Sequence, residues 1–125
     1  MIWTRRNWMT LAAIGGFLAV AGGAFGAHGL ADPQARAWMQ TGGQYALVHV
    51  LASLACGLLA GMGAPRARLA PAFFLPGVAI FAGSLFAMAL GGPRWLGAVT
   101  PIGGLLFLAG WAVLAWALRG LDRNP

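Results

Sequence analysis

Residues 71–90 of the chain read PAFFLPGVAIFAGSLFAMAL, a stretch without a single acidic or basic side chain. About 20 consecutive apolar residues, wound as an α-helix, are enough to cross the ~30 Å hydrocarbon core of a bilayer. A backbone in hydrocarbon must satisfy its own hydrogen bonds, and an α-helix does so within one segment. The stretch therefore predicts a membrane-spanning helix.

Three more stretches of the same kind lie at residues 8–27, 44–62 and 96–118, again without Asp, Glu, Lys or Arg. The chain of 125 residues is 60% hydrophobic and 8% charged, whereas soluble domains average roughly 25% charged residues. This composition excludes a soluble globular domain and a disordered chain. A membrane β-barrel would need many alternating strands, for which the chain is too short. We predict an all-α membrane protein, a single domain of residues 1–125 folded as a four-transmembrane-helix bundle.

The net charge of +6 comes from eight arginines and two acidic residues. With four spans, two arginines, Arg36 and Arg94, lie on one side of the membrane. The other side holds both termini and six arginines, namely Arg5, Arg6, Arg66, Arg68, Arg119 and Arg123. Because positive charge is retained in the cytoplasm, both termini are expected to be cytoplasmic. The arginines are too scattered to form one basic face, so we expect no nucleic-acid binding.

The first outer connection, residues 28–43, carries signals for a helix of its own. Asp32 is a typical N-cap, Pro33 suits the first helical position, and Gly42 is typical of a helix end. Apolar and polar residues between them fall on different sides. We predict a short interfacial helix over residues 33–41 that lies in the outer interface.

Glycine is abundant, with 20 residues in the chain, and it recurs at helical spacing inside the apolar stretches. In lipid, small residues let helix backbones approach closely and gain packing contacts. We therefore assign helix packing to six glycines: Gly15, Gly22, Gly26, Gly83, Gly103 and Gly110. In the fourth span we also read Thr100 and Pro101 as an N-cap followed by a first-turn proline.

Polar residues within the spans lie mainly in the outer half of the predicted bundle. Tyr45 and His49 share a face of the second span, Ser84 lies near the outer end of the third, and Thr100 begins the fourth. His28 ends the first span at the same surface. Intramembrane polar groups mark functional sites by default, so these five residues are candidate ligand-binding residues of an outward-opening pocket. The alternative is that they only form hydrogen bonds between helices.

Catalytic and metal chemistry find little support in this sequence. His28 and His49 are the only histidines, Cys56 is the only cysteine, and the spans contain no carboxylate. We expect no metal, no haem or other cofactor, and no catalytic residues, because neither a ligand set nor an acid–base pair is present. Proton transport would normally require an intramembrane carboxylate.

Four motifs in order resemble a known family. They are GAFGAHGL at residues 23–30, Trp38 with Thr41-Gly42, Tyr45 and His49, FAGSLF at residues 81–86, and TPIGG at residues 100–104 followed by Gly110-Trp111. Together they resemble the YgdD/YwdK-like family of small integral membrane proteins, the domain of unknown function 423, which is related to small mitochondrial transmembrane proteins. The resemblance implies a multi-pass protein of the bacterial inner (plasma) membrane with four helices. It implies no substrate and no catalytic residues, because the family has no settled activity.

The expected function follows from the helix-packing glycines and the small extramembrane mass. We expect a non-enzymatic protein, in contact with membrane lipids, that acts as a homo-oligomer or as an accessory subunit of a larger membrane complex. The alternative is binding or transport of a small apolar or amphipathic molecule, such as a lipid or quinone, in the outward-facing pocket.

Overall fold

A computed structural model describes residues 2–123 of the chain. Four α-helices follow one another: α1 (Arg5–His28), α2 (Pro33–Gly61), α3 (Pro71–Ala89) and α4 (Thr100–Leu118). Short 3-10 helices, Pro65–Leu69 and Arg94–Ala98, precede α3 and α4. Over the described residues there is no strand, and all four helical segments are long and apolar enough to span a membrane. The predicted fold class of an all-α, four-helix membrane protein is confirmed.

The predicted interfacial helix does not exist as a separate element, because residues 33–41 are the first turns of the 29-residue helix α2. Its start is as predicted: the Asp32 carboxylate accepts a hydrogen bond from the Ala35 backbone N–H (3.1 Å), and Pro33 is the first helical residue. The predicted end at Gly42 is wrong. A Cβ at Gly42 would meet the Phe86 ring of α3, so the glycine serves close helix packing, and tertiary contacts override its weak helix propensity.

Glycine does end two of the helices. Gly63 follows α2 with φ of +108°, and Gly91 follows α3 with φ of +101°. The backbone N–H of the residue after each glycine bonds to the carbonyl five residues back, Ala64 to Leu59 (3.1 Å) and Gly92 to Ala87 (2.7 Å). This Schellman arrangement needs a left-handed residue, which glycine adopts without strain.

The helices pack in chain order, with α2 along α1 and α3, and α4 along α3. Helix α1 meets α3 only locally, so α1 and α4 form the two flanks of the bundle. The largest buried apolar cluster lies towards the arginine-rich end, where Trp8, Cys56, Phe74 and Leu114 join all four helices.

Phenylalanines pack over glycines at the interface between α3 and α4. A Cβ built at Gly110 would lie 2.5 Å from the Phe74 ring, and one at Gly103 would lie 2.7 Å from the Phe81 Cβ. Phe107 in turn covers Gly77 of α3. These helices therefore approach at distances that only glycine permits.

Five of the six glycines assigned to packing lie in such contacts. Besides Gly103 and Gly110, Gly15 meets Val50, Gly22 meets Phe86, and Gly26 meets Met39. Gly83 differs, because it is exposed and a Cβ there would meet nothing within 4 Å. Helical spacing indicates that glycines share a face, but it does not say whether that face meets a neighbour.

Candidate functional site

His49 of α2 is a buried polar side chain, only 4% exposed. Its Nδ1–H donates to the Tyr45 backbone carbonyl (2.6 Å), and its Nε2 accepts from the Trp111 indole Nε1–H (3.0 Å). A nitrogen facing a carbonyl must carry the proton, and one facing an N–H must not. The two bonds therefore require the neutral, Nδ1-protonated ring.

Aromatic rings enclose the imidazole of His49. The Phe107 ring lies nearly parallel to it, with centroids 3.6 Å apart and planes at 8°. Phe74 and Trp111 contact it edge-on, at 5.4 and 5.8 Å. His49 thus joins α2 to α4 inside an aromatic cluster, with both ring nitrogens occupied.

Ser84 and Thr100 form a second pair, in which the hydroxyl oxygens lie 2.5 Å apart and join α3 to α4. The Ser84 hydroxyl also lies 3.0 Å from the Phe81 carbonyl, and that of Thr100 lies 3.2 Å from the Leu96 carbonyl. The Thr100 side chain makes no capping bond to α4, and Val99 is the N-cap. The predicted N-cap role of Thr100 is therefore wrong, because its hydroxyl bonds to Ser84 and to the preceding turn.

The remaining two candidate residues, Tyr45 and His28, are exposed, and the Tyr45 ring also lies beside the His49 ring, with centroids 6.3 Å apart. Tyr45 is 48% exposed and packs its ring on Phe81, with centroids 4.9 Å apart. His28 is an exposed residue at the end of α1. The structure does not gather the five predicted residues around one outward-opening pocket, because tight packing and internal hydrogen bonds occupy His49, Ser84 and Thr100.

Trp111 is the hydrogen-bond partner of His49, and the sequence did not predict this role. A tryptophan N–H in a hydrocarbon environment needs an acceptor, and that rule could have identified Trp111 as a polar residue of the fourth span. It could not have named His49 as the acceptor, since the two residues are 62 positions apart in the chain.

Open space lies elsewhere, in an apolar groove between α1 and α3. One cavity of about 450 Å³ is lined by Gly22, Phe25, Met39 and Phe86, among others. A second cavity of about 410 Å³ continues it towards the N-terminal end of α1, and the two share lining residues: Gly15, Leu18, Val78 and Ala79. The groove thus runs along most of α1.

Four apolar helices, short connections and a buried set of mutually hydrogen-bonded side chains define a small polytopic helical membrane protein. The family described as "Protein of unknown function (DUF423)" matches residues 22–104, and the chain belongs to this family. The resemblance stated from the motifs is thereby confirmed.

The following relatives are all named membrane proteins. A UPF0382 membrane protein of Haemophilus influenzae is 42% identical over 115 residues, which cover 90% of this chain and 93% of the relative. The UPF0382 inner membrane protein YgdD of Escherichia coli K12 is 41% identical over 130 residues, 97% of this chain and 95% of the relative. A UPF0382 membrane protein of Staphylococcus epidermidis is 41% identical, covering 86% and 90%. No solved structure matches the chain.

Proposed function

We propose that this protein is a non-enzymatic component of the bacterial inner membrane that acts by associating with other transmembrane helices. It does so as a homo-oligomer or as an accessory subunit of a larger membrane complex, with both termini in the cytoplasm. One observation carries the proposal: the buried polar side chains of the bundle form hydrogen bonds within the chain.

These internal bonds leave the polar groups without the freedom that catalysis or ligand binding requires. Both nitrogens of His49 are bonded, and Ser84 and Thr100 bond to each other. Within residues 2–123, no buried side-chain nitrogen or oxygen lacks a partner. An acid–base or nucleophilic site needs a group that can reach a substrate. The polar residues therefore serve the fold, and the function belongs to the lipid-facing surface.

Helix α4 offers a surface suited to association. One face packs on α3 through glycines, while the opposite face exposes Leu105 (66%) and Leu108 (68%). Gly104 borders this face, and a Cβ there would meet nothing within 4 Å. Large apolar side chains beside an open glycine are what a close helix–helix contact in lipid uses.

Cysteine crosslinking in native membranes tests this surface. In a Cys56→Ala background, Leu108→Cys should give an oxidative crosslink to a second copy or to a partner subunit. Phe17→Cys, an equally lipid-facing site on the other flank (74% exposed), is the matched control and should remain uncrosslinked. Native mass spectrometry from mild detergent then distinguishes the homo-oligomer from a complex with a fixed partner.

These measurements distinguish an associating protein from a monomer. A homo-oligomer or a stoichiometric partner, with crosslinking confined to residue 108, supports the proposal. A monomer without a partner, together with no crosslink at residue 108, would refute it.

A further inference from the structure

The apolar groove between α1 and α3 ends at a cationic cavity. At its N-terminal end the groove is lined by Trp3, Leu11 and Leu75. Trp3 also lines a separate cavity of about 220 Å³, together with Arg5, Trp8, Ala60, Pro65 and Arg68. Trp3 thus lies between the apolar groove and the cationic cavity, which is lined by two arginines.

The cationic cavity is formed by distant parts of the chain. Arg5 belongs to the first turn of α1, and Arg68 belongs to the 3-10 helix before α3. The Trp3 indole N–H donates to the Arg68 backbone carbonyl (3.4 Å), and the ring stacks on Trp8 with centroids 6.4 Å apart. The fold therefore holds both arginines at this cavity.

Both arginines keep donors for a ligand. Arg5 donates through Nη1 to the Gly57 carbonyl (3.2 Å), and Arg68 donates through Nη1 to the Pro65 carbonyl (3.3 Å). A guanidinium group has five N–H donors, so each retains several. The chain has two acidic residues, Asp32 and Asp122, and neither lines this cavity.

We infer that this protein binds an anionic phospholipid of the leaflet at its arginine-rich end. The lipid phosphate lies between Arg5 and Arg68, the partly exposed Trp3 contacts the interfacial region of the lipid, and one acyl chain follows the groove past Leu11 and Ala79. Three facts fit this occupant. Guanidinium forks match phosphate oxygens, basic pockets between transmembrane helices bind acidic headgroups, and a groove with few polar atoms matches a hydrocarbon chain.

This inference is independent of the association proposed above, because it uses α1 and α3 rather than the exposed face of α4. It also places an amphipathic ligand at the opposite end of the bundle from the outward pocket expected from the sequence. The binding determinant there is phosphate charge combined with apolar volume, not the buried hydroxyl and imidazole groups.

Native mass spectrometry of the full chain in mild detergent tests the site with two added lipids. Phosphatidylglycerol and phosphatidylcholine of identical acyl chains share the phosphate and differ only in the headgroup, which leaves the first lipid anionic and the second without net charge. Wild type should retain phosphatidylglycerol preferentially. Arginine near an acidic headgroup contributes about 1 kcal/mol, so the double variant Arg5→Gln/Arg68→Gln should bind phosphatidylglycerol about 30-fold more weakly, or about 2 kcal/mol.

A matched pair controls for net charge. Arg6→Gln/Arg66→Gln removes the same two charges from α1 and the same 3-10 helix. Neither residue lines the cavity, and the Arg66 guanidinium lies over the Trp116 ring at 4.4 Å. This control should keep its preference for phosphatidylglycerol. An equal loss in both pairs would show a general surface charge effect and would overturn the inference.

A second pair tests the groove without changing charge. Ala79→Phe fills the shared wall of the two cavities and should weaken retention of both lipids several-fold. Ala13→Phe adds the same ring to the exposed face of α1 that carries Phe17, lines neither cavity, and should leave retention unchanged. Equal retention in both variants, equal binding of the two lipids by wild type, or displacement of phosphatidylglycerol by inorganic phosphate at the same concentration would refute the lipid site.

Discussion

Replacing Gly103 by alanine should force α4 away from α3. A Cβ at this position would lie 2.6 Å from the Phe81 backbone nitrogen and 2.9 Å from the Gly77 carbonyl oxygen. Both atoms belong to the backbone of α3, so no side-chain rotation can relieve the clash. The next residue, Gly104, has nothing within 4 Å of the same position. The two adjacent glycines therefore form a matched pair.

The magnitude follows from two opposing terms. Overpacking of a close interface costs about 1–3 kcal/mol, whereas alanine gains up to about 1 kcal/mol over glycine in helix propensity. At Gly103 the clash outweighs the propensity gain, and with the full gain subtracted the free energy of unfolding should fall by up to about 2 kcal/mol. At Gly104 only the gain applies, and stability should rise by up to about 1 kcal/mol.

The assay is reversible unfolding in mixed micelles, with an increasing mole fraction of sodium dodecyl sulfate and tryptophan fluorescence as the signal. The chain has six tryptophans, and Trp111 of α4 reports on this interface directly. If Gly103→Ala proved as stable as Gly104→Ala, the two backbones could not be in contact at Gly103. If Gly104→Ala were the more harmful change, the rotation of α4 described here would be wrong.

Three further predictions use similarly simple measurements. Trp111→Phe removes the donor to His49 and should lower the free energy of unfolding by about 0.6–1.7 kcal/mol; a double-mutant cycle with His49→Leu should show this coupling, and a value near zero contradicts the bond. A cycle of Ser84→Ala with Thr100→Val should give about 0.6 kcal/mol of coupling, whereas additive effects would contradict the pairing. Finally, a green fluorescent protein fused to the C-terminus should fluoresce and an alkaline phosphatase fusion should be inactive, because the arginine distribution predicts a cytoplasmic terminus; the reverse result would invert the topology.

Much of the fold could be predicted from short stretches of the sequence. Each predicted span corresponds to one helix, since apolar length is a property of consecutive residues. The sequence also predicted that a helix begins at Asp32 and Pro33, because capping depends on neighbours in the chain. Gly42 was misread for the opposite reason: glycine ends one helix and permits close packing in another, and only the presence of Phe86 decides which.

The sequence predicted part of the composition of the candidate site, without Trp111, but not its arrangement. His49, Ser84 and Thr100 were singled out because polar groups within a bilayer mark functional sites by default. Their partners were not foreseeable, because each bond depends on how two helices are rotated about their axes. The cationic cavity at the other end was likewise not predictable from the sequence, since Arg5 and Arg68 serve equally well as topology signals.

The sequence by itself determined the number of spans, the approximate limits of all but the second, and the asymmetry of charge between the two ends of the bundle. These properties depend on hydropathy and charge along consecutive residues, and hydrocarbon imposes the helical form on each stretch. The tertiary structure decided which glycines are covered, which polar groups meet, and where the bundle leaves a groove. These outcomes depend on the rotation and mutual distance of whole helices, which contacts between residues far apart in the chain establish.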